Sequence, residues 1–532
     1  MVLQIRNSIR CREHSGSLVT FYHFSAIIEE MKGYLERTIQ QRLFESLDSD
    51  VITMIIGSRQ VGKSTLMQIG QEYIKKEKQV SEKNGSFSIS NNSFSYILDD
   101  IQLRGFLKKD IRYIQKDIEL SLGETLEKTQ SKIYIFIDEV QKMPQLFDWI
   151  KQIFDQNSEH VKFVLTGSSS IGITDIAAET LAGRVEYVTV YPFVYPEMFT
   201  AKVNEKVSFL QDIFTEIDSY SGQQSNENSA DAILQQLQGS TEEPKVIAER
   251  FREFLNKMFP ALYTKMKMYN KEATAAVVEN LFYGGLPRVI TSPIEDRVRM
   301  IKNYIDVYLE KEIGSVARNL DLELFGLSLQ SFAQQNGATL NINQVSKEVG
   351  ISRPSLYKYL DLLENTYLIK KVYPYIKKGG PQEETTKGIV LYYLDTGILN
   401  NLSYTTSIQE MIRPDTFNRI LGSWLLCGIL SYFSALDNVP PVYYWQDYAG
   451  HKVDLVFERG NFTFGYMINR PKDPRRQRAT IEKFAESSNK DIVVIFFPYL
   501  DAASMSLDYK VYDIEFPGKK VIGIDVPVQF LG

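Results

Sequence analysis

The residues best suited to chemistry lie between Gly57 and Arg184. Gly57, Ser58, Arg59, Gln60, Val61, Gly62, Lys63, Ser64 and Thr65 fit the spacing G-x-x-x-x-G-K-[ST]. Two glycines let such a loop curl so that its backbone N–H groups face a polyphosphate. Lys63 then reaches the β and γ phosphates, and the Ser64 hydroxyl can ligand Mg²⁺. Asp138 and Glu139 close the run KIYIFIDE. Asp138 is placed to share the Mg²⁺ shell with Ser64, and Glu139 to orient and polarise the water that attacks the γ-phosphate. Thr166 ends the run VKFVLT, and Gly167 and Ser168 follow it. A polar residue there either contacts that water or the γ-phosphate, or caps the next helix. Arg184 either reaches a neighbouring subunit's γ-phosphate or forms a surface ion pair. The ligands expected from these types are ATP and Mg²⁺.

Such residues work only if buried strands hold them at one edge of a sheet. Val51 to Ile56 is an apolar run that breaks at Gly57, which predicts a strand feeding the loop. The helix predicted from Leu66 to about Lys78 points its positive end at the same anion. Phe94 to Asp100, Ile133 to Ile137, Val161 to Thr166 and VEYVTVYP are the further strand candidates, with an amphipathic helix opened by Pro144 between two of them. Ile133 to Ile137 is fully apolar, and such a strand among others alternating with helices predicts a central place in a parallel sheet, whose ligands bind at the carboxyl ends of the strands. Ahead of the loop, Leu35, Ile39, Leu43 and Leu47 recur every fourth residue and predict one continuous helix face from Tyr34.

Four short motifs in this order, GSRQVGKSTL, IFIDEVQKMP, LTGSSS and LAGRVE, resemble the prokaryotic-type ATPases of the AAA superclass whose C-terminal region is catalogued as a domain of unknown function. The resemblance implies a phosphate loop at Lys63 and Ser64, a magnesium and water-activating pair at Asp138 and Glu139, a sensor at Thr166 to Ser168, and a Leu-x-Gly-Arg segment at Arg184. It also implies that the Gly284-Gly285-Leu286-Pro287 turn belongs to a small helical lid. Arg288 then either approaches nucleotide or sits in a simple turn.

The totals agree with a multidomain globular chain. At 532 residues the length exceeds one ordinary core. Two distant cysteines, Cys11 and Cys427, and four scattered histidines predict a reducing, cytoplasmic setting, with no disulfide framework and no Cys or His zinc site. The longest apolar stretch, near Ile420 to Phe433, is short of the ~20 residues that span a bilayer, so a buried helix and no membrane partner are expected. A net charge of −6 disfavours a protein that coats nucleic acid with its whole surface, while local basic patches remain compatible.

Composition predicts a polar and mobile insertion (201–245), and with it the motifs and the resemblance imply an N-terminal extension (1–33), an AAA-type P-loop core (34–200), a helical lid (246–318), a winged helix (319–380) and a nuclease-like region (381–532). The winged helix is read from two helices about a turn at Gly350, the second starting at Ser352, followed by an apolar hairpin. Arg353, Ser355, Tyr357 and Lys358 would face DNA, with Lys377 and Lys378 on the wing. The same layout also serves protein contacts and domain bracing. The last region resembles the restriction-endonuclease-like fold often found in the family. Asp454 fits that fold's first acid, but Tyr466, Met467, Ile468 and Asn469 stand where its acid-x-Lys should fall, and LGSWLLCGIL lacks the supporting helix acid. The whole therefore reads as an α/β protein: a P-loop NTPase with parallel central sheet, helical lid, winged helix-turn-helix and an inactive nuclease-like domain, with DNA at Arg353 and Lys358 and a homo-oligomer as expected partners.

Overall fold

The computed structural model describes residues 34–83, 92–129, 131–167, 177, 179–203, 209–221, 243–313, 321–376, 388–501 and 505–531. Helix α1 (Ile39–Asp48) leads into strand β1 (Ile52–Gly57), and helix α2 (Lys63–Lys83) leaves the loop between them and the rest of the core. Strand β2 (Ser93–Ile97), helices α3 (Ile101–Lys109) and α4 (Tyr113–Leu122), strand β3 (Ile133–Asp138), helix α5 (Leu146–Asn157), and strands β4 (Val161–Thr166) and β5 (Val185–Val190) follow. The five strands pair in the order β2-β3-β4-β1-β5, every pair parallel. Strands β1, β3 and β4 are buried along their whole length, which explains why their sequences are mostly apolar and do not alternate; Lys162 of β4 is a buried exception.

The chain starts its first helix later than the four-residue spacing predicts. Leu35 lies outside α1, because the backbone from Tyr34 to Thr38 is tied elsewhere: Arg37 N–H donates to Gln40 Oε1 at 2.9 Å and Thr38 N–H to Glu197 Oε1 at 2.8 Å. A tertiary contact 159 residues away in sequence outweighs helical periodicity here.

Helices α6 (Tyr195–Val203), α7 (Phe209–Ser221), α8 (Pro244–Met268), α9 (Asn270–Tyr283), α10 (Ile294–Val307) and α11 (Leu322–Gln334) form the middle of the molecule. The stretch 201–245, expected to be a polar insertion, contributes α7, whose Ile213, Phe214 and Ile217 are fully buried. Residues 222–242 fall outside the described residues, as do Lys377, Lys378 and the extension 1–33.

Helices α12 (Ile342–Val349) and α13 (Arg353–Asn365) are joined through Gly350 at φ 78°, a left-handed position that glycine takes without penalty, and Ser352 caps α13. Strand β6 (Ile369–Pro374) pairs antiparallel with β7 (Val390–Tyr393) and then, through Tyr373 and Pro374, parallel with β8 (Tyr443–Gln446). Helices α14 (Thr396–Leu402) and α15 (Pro414–Ala435) lie between β7 and β8. After β8 come β9 (Lys452–Arg459), β10 (Phe462–Tyr466), helix α16 (Pro474–Ser487), β11 (Ile492–Tyr499), β12 (Lys510–Ile514) and β13 (Lys520–Pro527). The result is one mixed eight-stranded sheet, β12-β13-β11-β10-β9-β8-β6-β7. Its Leu455, Phe457, Phe464 and Phe496 face the large helical core, while Val453, Val493 and Ile495 pack with Phe484 of α16 on the other side. The apolar stretch near Ile420 is α15, buried at Ile420, Leu421, Leu426 and Phe433. Among the described residues no helix is long and apolar enough to cross a membrane.

Candidate functional site

The phosphate loop is shaped by backbone crowding. Gly57 sits at φ 144°, and a Cβ there would lie 2.2 Å from the carbonyl oxygen of Val190 on β5. Gly62 is at φ 100° and Gln60 at φ 57°, so the chain turns back twice within a few residues. Lys63 is buried, and its Nζ donates to the carbonyls of Gly57 at 3.0 Å and Ser58 at 2.7 Å. The ammonium therefore hangs over the loop, and α2 begins at the same residue, aiming its N-terminal end there.

Strand β4 lies between β1 and β3, so the acids at the end of β3 stand one strand removed from the loop. Thr166, at the end of β4, joins them. Its hydroxyl donates to Asp138 Oδ1 and accepts from the backbone N–H of Glu139 at 3.2 Å. Glu139 has left-handed backbone, φ 58°, costly for a non-glycine residue, and Gln141 Nε2 donates to its Oε2. The hydroxyl of Ser64 and the carboxylate of Asp138 are hard oxygen donors, and two such ligands with water and phosphate oxygens completing the shell suit Mg²⁺. Among the described residues, no three His, Cys, Asp or Glu side chains come together as a self-sufficient metal cage.

Of the residues singled out in the sequence, Lys63, Asp138, Glu139 and Thr166 converge on the carboxyl edge of the sheet, with Ser58 buried and Arg59, Ser64 and Thr65 partly or fully exposed around the loop. Ser168 lies outside the described residues. Arg184 does not join them. Its carbonyl accepts from the N–H of Ile52, at the start of β1, about 17 Å from the loop at β1's far end. Its guanidinium grips Asp155, with Nε and Nη2 on the two carboxylate oxygens, the latter at 3.0 Å, which holds Asp155 below the usual carboxylate range.

Sequence reasoning missed Arg37. This buried arginine donates from Nη1 to the Val61 carbonyl in the loop at 2.8 Å and from Nη2 to the Tyr191 carbonyl just past β5, while its guanidinium stacks over Phe193 at 4.1 Å. Burial pushes its pKa down, with Glu197 opposing from 3.8 Å. No motif flags an arginine in YLERTIQQ; only the fold brings it under the loop.

The Gly284–Pro287 turn proves to be part of the same neighbourhood. Pro287 Cγ would be 3.5 Å from a Cβ on Gly62. A Cβ on Gly285 would lie 2.0 Å from the Phe193 carbonyl oxygen, and Phe193 N–H donates to the Gly285 carbonyl at 2.8 Å. On the other side, the buried Asp395 accepts from Gly285 N–H at 2.8 Å and from Ile398 N–H at 2.9 Å. Desolvation raises its pKa, and those N–H groups oppose the rise. Arg288, next to Pro287, is exposed.

The C-terminal acid is enclosed differently. Asp454 is 1% exposed. Its Oδ2 accepts from the N–H groups of Ile468 at 2.8 Å and Asn469 at 3.1 Å; its Oδ1 accepts from Asn469 Nδ2 at 3.2 Å and pairs with Lys452 Nζ at 3.1 Å. Asn418 of α15 in turn donates to Asn469 Oδ1 at 3.1 Å. Protein amides and an ammonium thus fill the coordination sphere of this carboxylate. In the helix pair, Arg353 and Lys358 are exposed, and Arg353 Nη1 donates to Asn343 Oδ1 at 3.2 Å; Ser355 and Tyr357 are half-buried.

Residues 49–199 match a family described as AAA domain, and residues 274–409 match a domain of unknown function. An uncharacterized protein of Mycobacterium tuberculosis (strain H37Rv) is 20% identical over 347 residues, 65% of this chain and 60% of that protein. An uncharacterized protein of Haemophilus influenzae is 22% identical over 348 residues, 64% of this chain and 66% of that one. The chain thus spans about 60% of the length of the mycobacterial relative. The solved structure of Cdc6p from Pyrobaculum aerophilum aligns over 73% of this chain and 99% of that one, at 13% identity and a TM-score of 0.21. Residues 49–199 are thus similar to AAA domains, and the parallel five-stranded sheet with its glycine loop gives that similarity its physical form.

Proposed function

We propose that this chain binds and hydrolyses ATP with the edge of the five-stranded sheet. The observation that carries the reading is the threonine link: one hydroxyl, on Thr166, bonds both Asp138 and the backbone of Glu139, beside a loop whose lysine and helix N-terminus are set for a polyphosphate. Lys63 and the loop N–H groups hold the phosphates. Ser64 and Asp138 would hold Mg²⁺, which when bound supplies charge neutralisation of the phosphate oxygens. Glu139 orients the attacking water and takes its proton. Arg184 can serve a γ-phosphate only from a second copy of the chain, since its own loop is a strand's length away; a homo-oligomer is part of the proposal.

The output proposed is mechanical. The Gly284–Pro287 turn touches the phosphate loop at Gly62 and is held by Asp395, so a change at the loop is passed through a lid (246–318) to the winged helix (319–380) and the nuclease-like region (381–532). Purified Lys63→Ala should lose nucleotide binding, while Glu139→Gln should keep ATP bound and turn it over 10²- to 10⁴-fold more slowly. Normal turnover by Glu139→Gln sinks the assignment.

A second reading, a cytoplasmic DNA-binding or regulatory module gated by slow hydrolysis, is favoured by the exposed Arg353 and Lys358 at the start of α13. It predicts that ATP shifts DNA affinity while DNA leaves the hydrolysis rate unchanged. The enclosure of Asp454 speaks against a third reading, a Mg²⁺-dependent nuclease.

A further inference from the structure

The segment that follows Asn469 reads RPKDPRRQRATIEK, with Arg470, Lys472, Arg475, Arg476, Arg478 and Lys483 against only Asp473 and Glu482, in a chain whose net charge is −6. The six cations are exposed, and Arg475 keeps 94% of its side-chain surface open. Some are partly neutralised: Arg470 by Asp525 at 2.7 Å, Arg478 by Glu482 at 2.8 Å, Arg475 by Asp473 at 3.5 Å, and Lys483 by Asp447 at 3.0 Å. Lys472 and Arg476 have no carboxylate partner among the described residues.

The turn between β8 and β9 is docked onto this helix. Arg476 Nη2 lies 3.4 Å from the Gly450 carbonyl, and Lys483 Nζ holds Asp447, which also bonds His451 through its side chain and backbone. Between those two anchors stands Tyr448, an aromatic ring fully exposed to water. Here it is held, by the residues either side of it, at the edge of a cationic helix face.

We infer that the start of α16 and the 447–450 turn form a binding surface for single-stranded DNA, with Lys472, Arg475 and Arg476 on consecutive phosphates and an unpaired base stacked on Tyr448. Cations that track a backbone, together with an aromatic platform, are the chemistry that holds a single strand without reading its sequence. The surface starts one residue beyond Asn469, which caps the enclosed Asp454. Strand binding and the absence of a cutting centre therefore meet at one end of the sheet: the strand would be held there uncut. This surface is independent of the ATPase reading and separate in sequence from Arg353 and Lys358.

The test is fluorescence anisotropy of a labelled oligodeoxythymidine of about 20 nucleotides with the full chain, across a salt series. Lys472→Ala/Arg475→Ala/Arg476→Ala should bind at least tenfold more weakly, with the slope of log affinity against log salt reduced by about 2, at ~0.7 per lost phosphate contact. Tyr448→Ala should lose about tenfold with the slope unchanged. Tyr448→Ala should melt with the wild type, and the triple variant close to it, since all its altered side chains are exposed and the turn keeps its Lys483–Asp447 anchor when the Arg476–Gly450 contact is lost. Three results overturn the inference: wild-type affinity in the triple variant, tighter binding of a duplex of equal length, or loss of oligonucleotide binding in Arg353→Ala/Lys358→Ala but not in the triple variant. Loss in the triple variant with none in Tyr448→Ala overturns the stacked single strand.

Discussion

Thr166 concentrates several demands in one hydroxyl, because it donates to Asp138 while accepting from the N–H of Glu139. Thr166→Val keeps the shape and removes both bonds. ATP affinity should stay within about threefold and turnover should fall some ten- to a hundredfold, read by steady-state phosphate release. A second single-residue test concerns Lys162, 1% exposed and surrounded by the carbonyls of Ser49 and Val51 with Glu186 at 3.6 Å. Burial lowers its pKa from the ordinary 10.5 to about 8. Between those values the unfolded chain binds more protons than the folded one, so this group adds stability as pH rises from about 8 to 10.5; below 8 its burial penalty is fully present. Lys162→Met should remove a rise of up to about 3 kcal/mol across that window, measured as the difference between the two urea-unfolding curves against pH. The glycine loop and the acid pair were legible in the sequence because their chemistry demands residue types at fixed spacing. Arg37 and Lys162 were not, since each is defined by carbonyls that only the folded sheet brings within reach.

At the scale of elements, the strands were legible for a simple reason: three of the five are buried along their whole length and are mostly apolar, with Thr53, Lys162 and Thr166 as buried polar exceptions and Asp138 at a strand end. The first helix was misjudged by one turn because periodicity is blind to Glu197, which captures the N–H of Thr38. The packing role of the Gly284–Pro287 turn was also invisible; the sequence announces a helix stop and says nothing of what lies against it. Here the closest approaches are backbone to backbone, so they cannot relax through a rotamer. Gly285→Ala puts a methyl 2.0 Å from the Phe193 carbonyl oxygen. We expect it to cost about 2–3 kcal/mol in urea unfolding and to raise the KM for ATP, since the turn also abuts Gly62. Gly123→Ala is the control: it too has positive φ, at 75°, but its Cβ would meet nothing within 4 Å. It should lose about 1 kcal/mol and leave the KM unchanged.

For the whole molecule, the separation of Arg184 from its own loop makes oligomerisation measurable through activity. If the arginine acts between copies, mixing inactive Lys63→Ala with inactive Arg184→Ala should recover a fraction of wild-type turnover, because mixed neighbours recombine one intact loop with one intact arginine. Two inactive preparations that stay inactive when mixed would confine Arg184 to its ion pair with Asp155. A supercoiled plasmid incubated with Mg²⁺ should remain uncut by the wild type, as the Asp454 carboxylate is already satisfied by four protein donors.

One property of the large sheet bears on how the protein is made. Strand β6 finds its neighbour β7 soon after both leave the ribosome, but its other neighbour, β8, begins at Tyr443, 69 residues after β6 ends at Pro374 (443 − 374 = 69). At roughly 5–20 residues per second, translation leaves that strand edge open for about 3–14 seconds. An open edge is a template for another chain's strand. Nascent copies on one messenger are closest to each other during this interval, so synonymous codons that slow elongation between Tyr375 and Val442 should lower the soluble yield without changing a single residue of the product.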